Sequence, residues 1–193
     1  VYICVLPGIF VEPSQPIAWS VGIGEDCDDA LRDAFVIGAQ RTFDRDPRYG
    51  IIVMAEVASR ALSPAINDQG TAVDVIGRGV RVLSHLSRPT PPEDPKFDRV
   101  FAPGLSAADM LDDFFTPIAR DGAAIIEVCI RLQQALASLG RLGDAAVALA
   151  ANRHASMALR RAEAALTMPD DYQRVCQAAD AAGLLDTSNQ QGK

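Results

Sequence analysis

The sequence lacks closely spaced cysteines. Its four cysteines are scattered along 193 residues, at positions Cys4, Cys27, Cys129 and Cys176. Zinc ribbons and CxxC redox sites need cysteines a few residues apart, so both classes of site are excluded. Isolated cysteines act as small apolar residues in a reducing compartment, and we expect that environment here.

Long apolar runs are also missing. A membrane-spanning helix needs about 18 apolar residues, and the longest candidate run, from Ala145 to Ala151, is much shorter. No basic segment precedes an apolar stretch at the start, so no signal peptide is predicted. Because the chain begins VYICVLPG, without Met and within a strand-like pattern, we expect it to be a segment of a longer protein.

Basic residues are in the minority. The chain has 18 Lys and Arg against 25 Asp and Glu, which gives a formal net charge of −7. Contacts to nucleic-acid phosphates need clustered cations, and no such cluster is present. We therefore expect no nucleic-acid partner.

Catalytic and metal-binding motifs are scarce as well. The chain has two histidines, His85 and His154, and each is interpreted as a surface residue or a satisfied one. No GxSxG elbow, P-loop, HExxH motif or EF-hand loop is present, and Asp112-Asp113 is interpreted as a surface or helix-start charge. The sequence thus predicts no catalytic residue, no metal and no cofactor, and it leans against an enzyme while leaving that question open.

The composition is that of a globular protein, with 49% hydrophobic and 22% charged residues. Residues 1–23 contain short apolar runs that are interrupted by the turn residues Pro7-Gly8 and by the sequence PSQP. They predict two or three short strands, at about 2–6, 9–11 and 17–22. The later sequence KFDRVFAPG, at 96–104, predicts one more short strand.

After residue 24 the apolar spacing becomes helical. A first helix is predicted from Glu25, with an acidic first turn and an apolar face formed by Leu31, Ala34, Phe35 and Gly38. Further helices are predicted at about 51–62, 71–87, 107–120 (after the N-cap Ser106), 123–139, 144–167 and 169–182. A proline-rich break, RPTPPEDPK, covers 88–96.

These elements predict an α+β fold. A small β portion at 1–23 is followed by a mainly helical bundle of about six helices at 24–186. The polar residues 187–193 are expected to form a frayed tail.

Two polar turns flank the helix predicted at 51–62. The first, RTFDRDPRYG at 41–50, carries the charged residues Arg41, Asp44, Arg45, Asp46 and Arg48. The second, RALSPAINDQGTA at 60–72, carries the candidate residues Arg60, Ser63, Asn67, Asp68 and Thr71.

These turns allow a structural interpretation and a functional one. Asp68 or Asn67 can cap the following helix, with Thr71 in its first turn, while Ser63-Pro64 ends the preceding helix. Alternatively, antiparallel packing of the first three helices would bring the two turns together. They would then form a ligand-binding site for a small anion, or a buried polar network in which the charges pair.

A longer stretch carries a family resemblance. Residues 37–76, IGAQRTFDRDPRYGIIVMAEVASRALSPAINDQGTAVDVI, resemble the central signature of a bacterial family of predicted membrane proteins, domain of unknown function 2254. The family pattern QRTxxQDxxFGIxxLVDIAxRALSPGINDPxTA is matched at Arg41, Thr42, Asp46, Tyr49, Gly50, Ile51, Ala58, Arg60, Ala61, Leu62, Ser63, Pro64, Ile66, Asn67, Asp68, Thr71 and Ala72. The chain departs from that pattern at Arg45, Glu56, Ala65 and Gln69, where the family usually has Gln, Asp, Gly and Pro.

The upstream sequence PGIFVEPSQPIAW resembles the family segment PGxFVxxGxPLA, so the resemblance covers roughly residues 1–90. It implies an N-terminal block of transmembrane helices outside this chain, followed by a soluble domain that faces the cytoplasm at the bacterial inner membrane. It implies no known activity.

Three hypotheses follow. The first is a non-enzymatic domain that acts in assembly, gating or ligand sensing, with a homo-oligomer as one expected form. The second is a membrane-tethered enzyme for a small anionic or lipid-derived substrate, which needs a pocket where an Asp with a raised pKa faces an Arg. The third is a plain scaffold in which the turns serve only as caps.

Overall fold

The computed structural model describes residues 1–24, 27–44, 46–86 and 94–183. It divides into two compact units. Unit 1 comprises Val1–Gly50 and Pro91–Leu105, and unit 2 comprises Ile51–Thr90 and Ser106–Lys193. The sequence-based boundaries at residues 23 and 186 stay predictions. Several predicted features lie outside the described residues. They are the predicted helix start at Glu25, the charged residue Arg45 of the first polar turn, most of the proline-rich break and the tail at 187–193.

Unit 1 contains a small antiparallel sheet. Strand β1 (Tyr2–Ile3) pairs with strand β2 (Ala18–Trp19), so that Tyr2 lies opposite Trp19 and Ile3 opposite Ala18. Phe101 adds a single parallel bridge to Tyr2 on the other side of β1. The strand predicted at 96–104 is thus reduced to one bridging residue.

The strands are shorter than predicted, and residues 9–11 form no strand. The turn residue Gly8 has a φ of 82° and Gly22 has a φ of 69°, a left-handed conformation that ends regular pairing. Phe10 is 85% exposed, so no burial rewards an extended conformation there. The prediction of a strand at 9–11 was therefore wrong.

Helix α1 (Asp28–Asp33) is also shorter than predicted. It has no side-chain N-cap hydrogen bond and buries none of its residues. Val36 and Ile37, which follow it, are β-branched and largely exposed. A single short turn without packing is marginal, and this explains why the predicted continuation through Gly38 was wrong.

Six longer helices follow: α2 (Pro47–Ala61), α3 (Gln69–Leu86), α4 (Ala107–Asp121), α5 (Ile126–Leu142), α6 (Ala145–Ala165) and α7 (Pro169–Ala181). The described chain is therefore mostly helical with a small N-terminal sheet, which fits the predicted α+β class. Ser106 accepts a hydrogen bond from the backbone N–H of Asp109, as an N-cap should.

Helix α2 begins four residues before its predicted start. The sequence RTFDRDPRYG was interpreted as a turn broken by Pro47 and Gly50, but both residues lie in the helix. A proline is tolerated in the first helical turn, since the backbone N–H that it lacks would have no helical partner there. The predicted start of this helix was wrong for that reason.

The core of unit 2 is built from helices α2 to α6. Its largest fully buried side chains include Ile51, Ile76, Leu111, Phe114, Phe115, Ile118, Leu132 and Leu136. A smaller cluster, with Cys129, Leu159 and Val175, fixes α7 against α5 and α6. Burial raises the pKa of the Cys129 thiol to about 11, so this cysteine is a neutral packing residue at pH 7.

Gly79 lets two helices of unit 2 approach each other closely. A Cβ atom at Gly79 would collide with the ring of Phe114 on α4. The absence of a side chain at Gly79 on α3 therefore makes room for the aromatic ring.

No helix within the described ranges combines the length and the apolarity that a membrane span requires.

Candidate functional site

The first polar turn is organised around Asp46. This carboxylate is 4% exposed, and it is the one buried side chain among the described residues of unit 1. Arg41 donates from Nε to Asp46 Oδ2 at 2.7 Å, and its Nη2 lies 2.6 Å from the same oxygen. The backbone N–H of Tyr49 donates to Oδ1 at 3.0 Å. Asp46 thus caps α2 and pairs with Arg41 at the same time.

Aromatic rings and a glycine enclose this ion pair. The Arg41 guanidinium carbon lies 5.0 Å from the ring centroid of Tyr49, and Phe43 stacks on Tyr49 at 4.7 Å. A Cβ atom at Gly8 would collide with the Asp46 carboxylate, and the backbone of Gly8 is left-handed. Only glycine satisfies both conditions, so Gly8 belongs to this cluster.

Two other charged residues of the first turn are less buried than Asp46. Asp44 is exposed, and Arg48 is half-buried. The arrangement at Arg41 and Asp46 neutralises a buried carboxylate, which is the requirement for burying such a charge. The Arg41 side chain remains about a third exposed.

The second polar turn is closed by its own hydrogen bonds. The Ser63 hydroxyl donates to the Arg60 carbonyl at 2.7 Å, and the Ser63 carbonyl accepts from the backbone N–H of Asn67 at 2.9 Å. The backbone N–H of Asp68 donates to the Ala61 carbonyl at 2.8 Å. The bond from Asp68 thus satisfies the carbonyl of Ala61, the last residue of α2, and the other bonds close the turn.

Asp68 is the cap of α3. Its carboxylate accepts from the Thr71 hydroxyl at 2.5 Å and from the Thr71 backbone N–H at 2.9 Å. These two hydrogen bonds lower the pKa of Asp68, the bond from the hydroxyl having the larger effect. Asp68 is therefore ionised at neutral pH, and its carboxylate is engaged by the two hydrogen bonds from Thr71.

Asn67 and Arg60 have other roles in this turn. Asn67 has a φ of 50°, a left-handed conformation that asparagine tolerates better than most residues. Its side chain and that of Arg60 are exposed. The backbone of Asn67, more than its amide group, explains why asparagine suits this position.

The two turns belong to different units. Arg41 and Asp46 are together in unit 1, while Ser63, Asp68 and Thr71 act within unit 2. The hypothesis that both turns form one ligand-binding site stays a prediction.

Of the two histidines, which were interpreted as surface or satisfied residues, His154 is buried in unit 2. His154 on α6 is 3% exposed, and its Nε2 lies 2.8 Å from Oδ1 of Asp112 on α4. Arg153 Nη2 lies 2.8 Å from both oxygens of the same carboxylate. Burial lowers the pKa of His154, although the negative charge of Asp112 acts in the opposite direction.

A helical spacing signals the burial of His154. It follows Val147 by seven residues and Ala151 by three, and both of these are buried on the same helix. The pairing with Asp112 has no such signal, because it depends on how α4 packs against α6.

A second polar cluster lies at the C-terminal end of α4. Arg120 donates to both carboxylate oxygens of Asp121, at 2.6 and 2.9 Å. Arg120 is the main reason that the pKa of Asp121 is lowered, with smaller contributions from the Ser59 hydroxyl and the charge of Arg161. Arg161 also donates to the Thr116 carbonyl at 2.8 Å. The cluster connects α4 to α6, and its carboxylate is already paired with Arg120.

No metal centre is found among the described residues. No group of three or more His, Cys, Asp or Glu side chains there is arranged to hold a metal ion. A groove of about 140 Å³ is lined by Gly140, Arg141, Asn152 and Gly183, among others. That volume is smaller than the roughly 300 Å³ at which small-molecule pockets begin.

Comparisons with known proteins identify relatives for part of the chain. It is 43% identical over 63 residues to three uncharacterized proteins, Mb1321c of Mycobacterium bovis and MT1328 and Rv1290c of Mycobacterium tuberculosis. The matched segment is 33% of this chain and 12% of each relative, so the chain corresponds to a small part of those proteins. No solved structure matches.

A family model covers most of the chain. The model described as "Predicted membrane protein (DUF2254)" matches residues 1–138, which include the whole of unit 1 and both polar turns. The match extends beyond the stretch in which the sequence pattern was recognised. The chain therefore belongs to the DUF2254 family of predicted membrane proteins, whose function is unknown.

Proposed function

We propose that this chain is an extramembrane domain of a bacterial inner-membrane protein and that it acts in assembly, by making contacts rather than by catalysis. Membership of a family of predicted membrane proteins supports its association with a membrane. Gating and ligand sensing are the related roles that the same contacts would allow.

The observation that carries this proposal is the composition of unit 1. Every residue of the hydrophobic core lies in unit 2, whereas the buried residue described in unit 1 is the charged Asp46. Unit 1 instead exposes large apolar side chains, among them Phe10, Val36, Ile37 and Phe97. A concentration of exposed apolar residues marks an interaction surface.

The free cysteines support a cytoplasmic location. All four are unpaired, and Cys4 and Cys27 are exposed. Exposed thiols persist in a reducing compartment, while an oxidising one favours disulfides. We therefore propose that the domain faces the cytoplasm.

The enzyme hypothesis has less support. It requires an aspartate whose pKa is raised beside an arginine, but Asp68 and Asp121 both have lowered pKa values. Both carboxylates are engaged in hydrogen bonds that favour the ionised form. They stabilise helix ends and helix contacts.

Cysteine labelling in cells tests the location. The complete gene product would be expressed, and spheroplasts would be treated with a membrane-impermeant maleimide before and after lysis. A cytoplasmic domain predicts labelling of Cys4 and Cys27 only after lysis. A variant with Cys4→Ser and Cys27→Ser is the control, and labelling of the parent protein in intact spheroplasts would contradict the proposed orientation.

Crosslinking tests the assembly role. The complete gene product should give crosslinked species of higher mass in native membranes. Substituting Val36 and Ile37, two exposed apolar residues of unit 1, by Ser should reduce these species, while the polar surface substitution Gln134→Ser in unit 2 should not. A product that remains a single uncrosslinked species would contradict an assembly function.

A further inference from the structure

Three aromatic rings in unit 1 form a continuous stack on the small sheet. The ring of Tyr2 stacks on Trp19 at a centroid distance of 4.2 Å and on Phe101 at 4.9 Å, with interplanar angles of 11° and 16°. Tyr2 pairs with Trp19 across β1 and β2, and Phe101 bridges to Tyr2. We call Trp19, Tyr2 and Phe101 the aromatic ladder.

The ladder is exposed although it is ordered. Trp19 is 51% exposed, Tyr2 37% and Phe101 53%. Backbone hydrogen bonds hold the rings in place, because Ile3 N–H donates to Phe101 O at 2.8 Å and Phe101 N–H donates to Val1 O at 3.0 Å. An aromatic surface that is fixed by the backbone and left uncovered is suited to contact with another phase or molecule.

The size of the ladder argues against a second protein copy as its partner. Rings of this kind have about 150–250 Å² of surface each, so the exposed part of the ladder is about 300 Å². A stable protein interface needs about 800 Å² on each partner. The strands β1 and β2 have two residues each, which is too short for a copy to extend the sheet with several hydrogen bonds.

The chemistry of the ladder fits the interface between the headgroups and the acyl chains of a bilayer. Trp and Tyr rings concentrate at that depth, because each combines an apolar body with a polar group that stays hydrated. The chain belongs to a family of predicted membrane proteins, which supports the presence of a nearby bilayer. Acidic residues outnumber basic ones in unit 1, so insertion of rings, rather than attraction to anionic lipids, must supply the binding energy.

We infer that the aromatic ladder inserts into the lipid–water interface of the membrane and thereby docks unit 1 on the bilayer. This inference rests on the proposed membrane location and adds what the domain contacts. The partner is a lipid surface without a required charge, and binding should be weak and reversible for a chain separated from its membrane anchor.

Trp19 provides a direct probe, since it is the single tryptophan of the chain. The purified chain would be titrated with phosphatidylcholine vesicles while Trp19 fluorescence is recorded. Insertion predicts a blue shift, quenching by lipids brominated near the headgroup, and little change in affinity when phosphatidylglycerol or salt is added. An unchanged spectrum together with no co-flotation of the chain would overturn the inference.

Substitutions at Phe101 and Phe10 distinguish binding through the ladder from nonspecific hydrophobic binding. Phe101→Ser should weaken vesicle binding by roughly tenfold, because it removes about a third of the inserted surface, while Phe101→Leu should retain most of the binding. Phe10→Ser removes an even more exposed aromatic ring outside the ladder and should leave binding unchanged. Equal losses in Phe101→Ser and Phe10→Ser would overturn the assignment to the ladder.

Folding and self-association are controlled in the same samples. Hydrogen exchange of Tyr2–Ile3 and Ala18–Trp19 must show that Phe101→Ser retains the small sheet of the parent; if it does not, Tyr2→Ser and co-flotation of Trp19→Ser replace it. A blue shift that depends on protein concentration without vesicles would identify a second copy as the partner and overturn the inference. Failure of vesicle binding leaves the cysteine-labelling result, and hence the proposed location, unaffected.

Discussion

The two units of this chain achieve burial by different means. In unit 2, apolar faces of α2 to α6 meet around Phe114, Phe115 and Ile118, which are almost fully buried. In unit 1, the described interior is the ion pair of Arg41 and Asp46, and the large apolar side chains are exposed.

This difference shows where each unit obtains its stability. Hydrophobic burial is the main favourable contribution to folding and grows with buried area. The buried apolar core of unit 2 is therefore an adequate source of stability for that unit. A paired buried charge is costly to desolvate and specifies an arrangement more than it stabilises one. We therefore expect unit 1 to be the less stable unit until its apolar residues are covered.

The largest expected effect is on unit 2. Phe114→Ala should reduce its free energy of unfolding by about 4 kcal/mol, because it removes a fully buried ring and leaves a cavity against Gly79. Thermal unfolding followed by circular dichroism measures the change. Phe10→Ala in unit 1 is the matched control, and an equal loss there would contradict the assignment of the core to unit 2.

Unit 1 should respond most to its ion pair. Arg41→Ala leaves the Asp46 carboxylate buried without its cation, which should cost unit 1 about 3 kcal/mol. Hydrogen exchange of Tyr2–Ile3 and Ala18–Trp19 should accelerate while that of α4 and α5 does not. Arg32→Ala removes an exposed ion pair with Asp29 and should change little; the same acceleration in both variants would refute a special role for Asp46.

The helix locations in unit 2 were largely predictable, while the arrangement of unit 1 was not. The apolar periodicity and the cap at Ser106 located α3 to α7 within a few residues. In unit 1 the interior depends on Gly8, which is 38 residues from Asp46, and on an ion pair that apolar patterns do not report. The contact between Asp112 and His154 could not be predicted either, because it depends on how α4 packs against α6.

Low pH should destabilise unit 2 through protonation of His154. Its pKa is lowered in the folded state, so the unfolded state binds a proton first as pH falls. Stability from this residue is complete above about pH 6.5 and is lost as pH falls from there toward the lowered pKa. His154→Gln should flatten the dependence of the melting temperature on pH in this range. If the pH dependence of the melting temperature is unchanged in His154→Gln, groups other than His154 are responsible for it.

The smallest expected effects concern the second turn. Asp68→Ala removes the cap of α3 and should lower the melting temperature by roughly 2–4 °C. Asn67→Gly should be close to neutral, since glycine accepts the left-handed backbone, and Asn67→Ala should destabilise. If Asp68→Ala and Asn67→Ala both leave the melting temperature unchanged, these side chains have no structural role and a ligand screen at this turn is justified.

Hydrogen exchange of the whole chain, with and without phosphatidylcholine vesicles, tests the central difference most directly. We expect the backbone amides of unit 1 to exchange faster than those of α4 to α6 in buffer. When vesicles are added, β1 and β2 should become clearly protected and α4 to α6 should not change. Equal protection of both units in buffer, with no effect of vesicles, would contradict it.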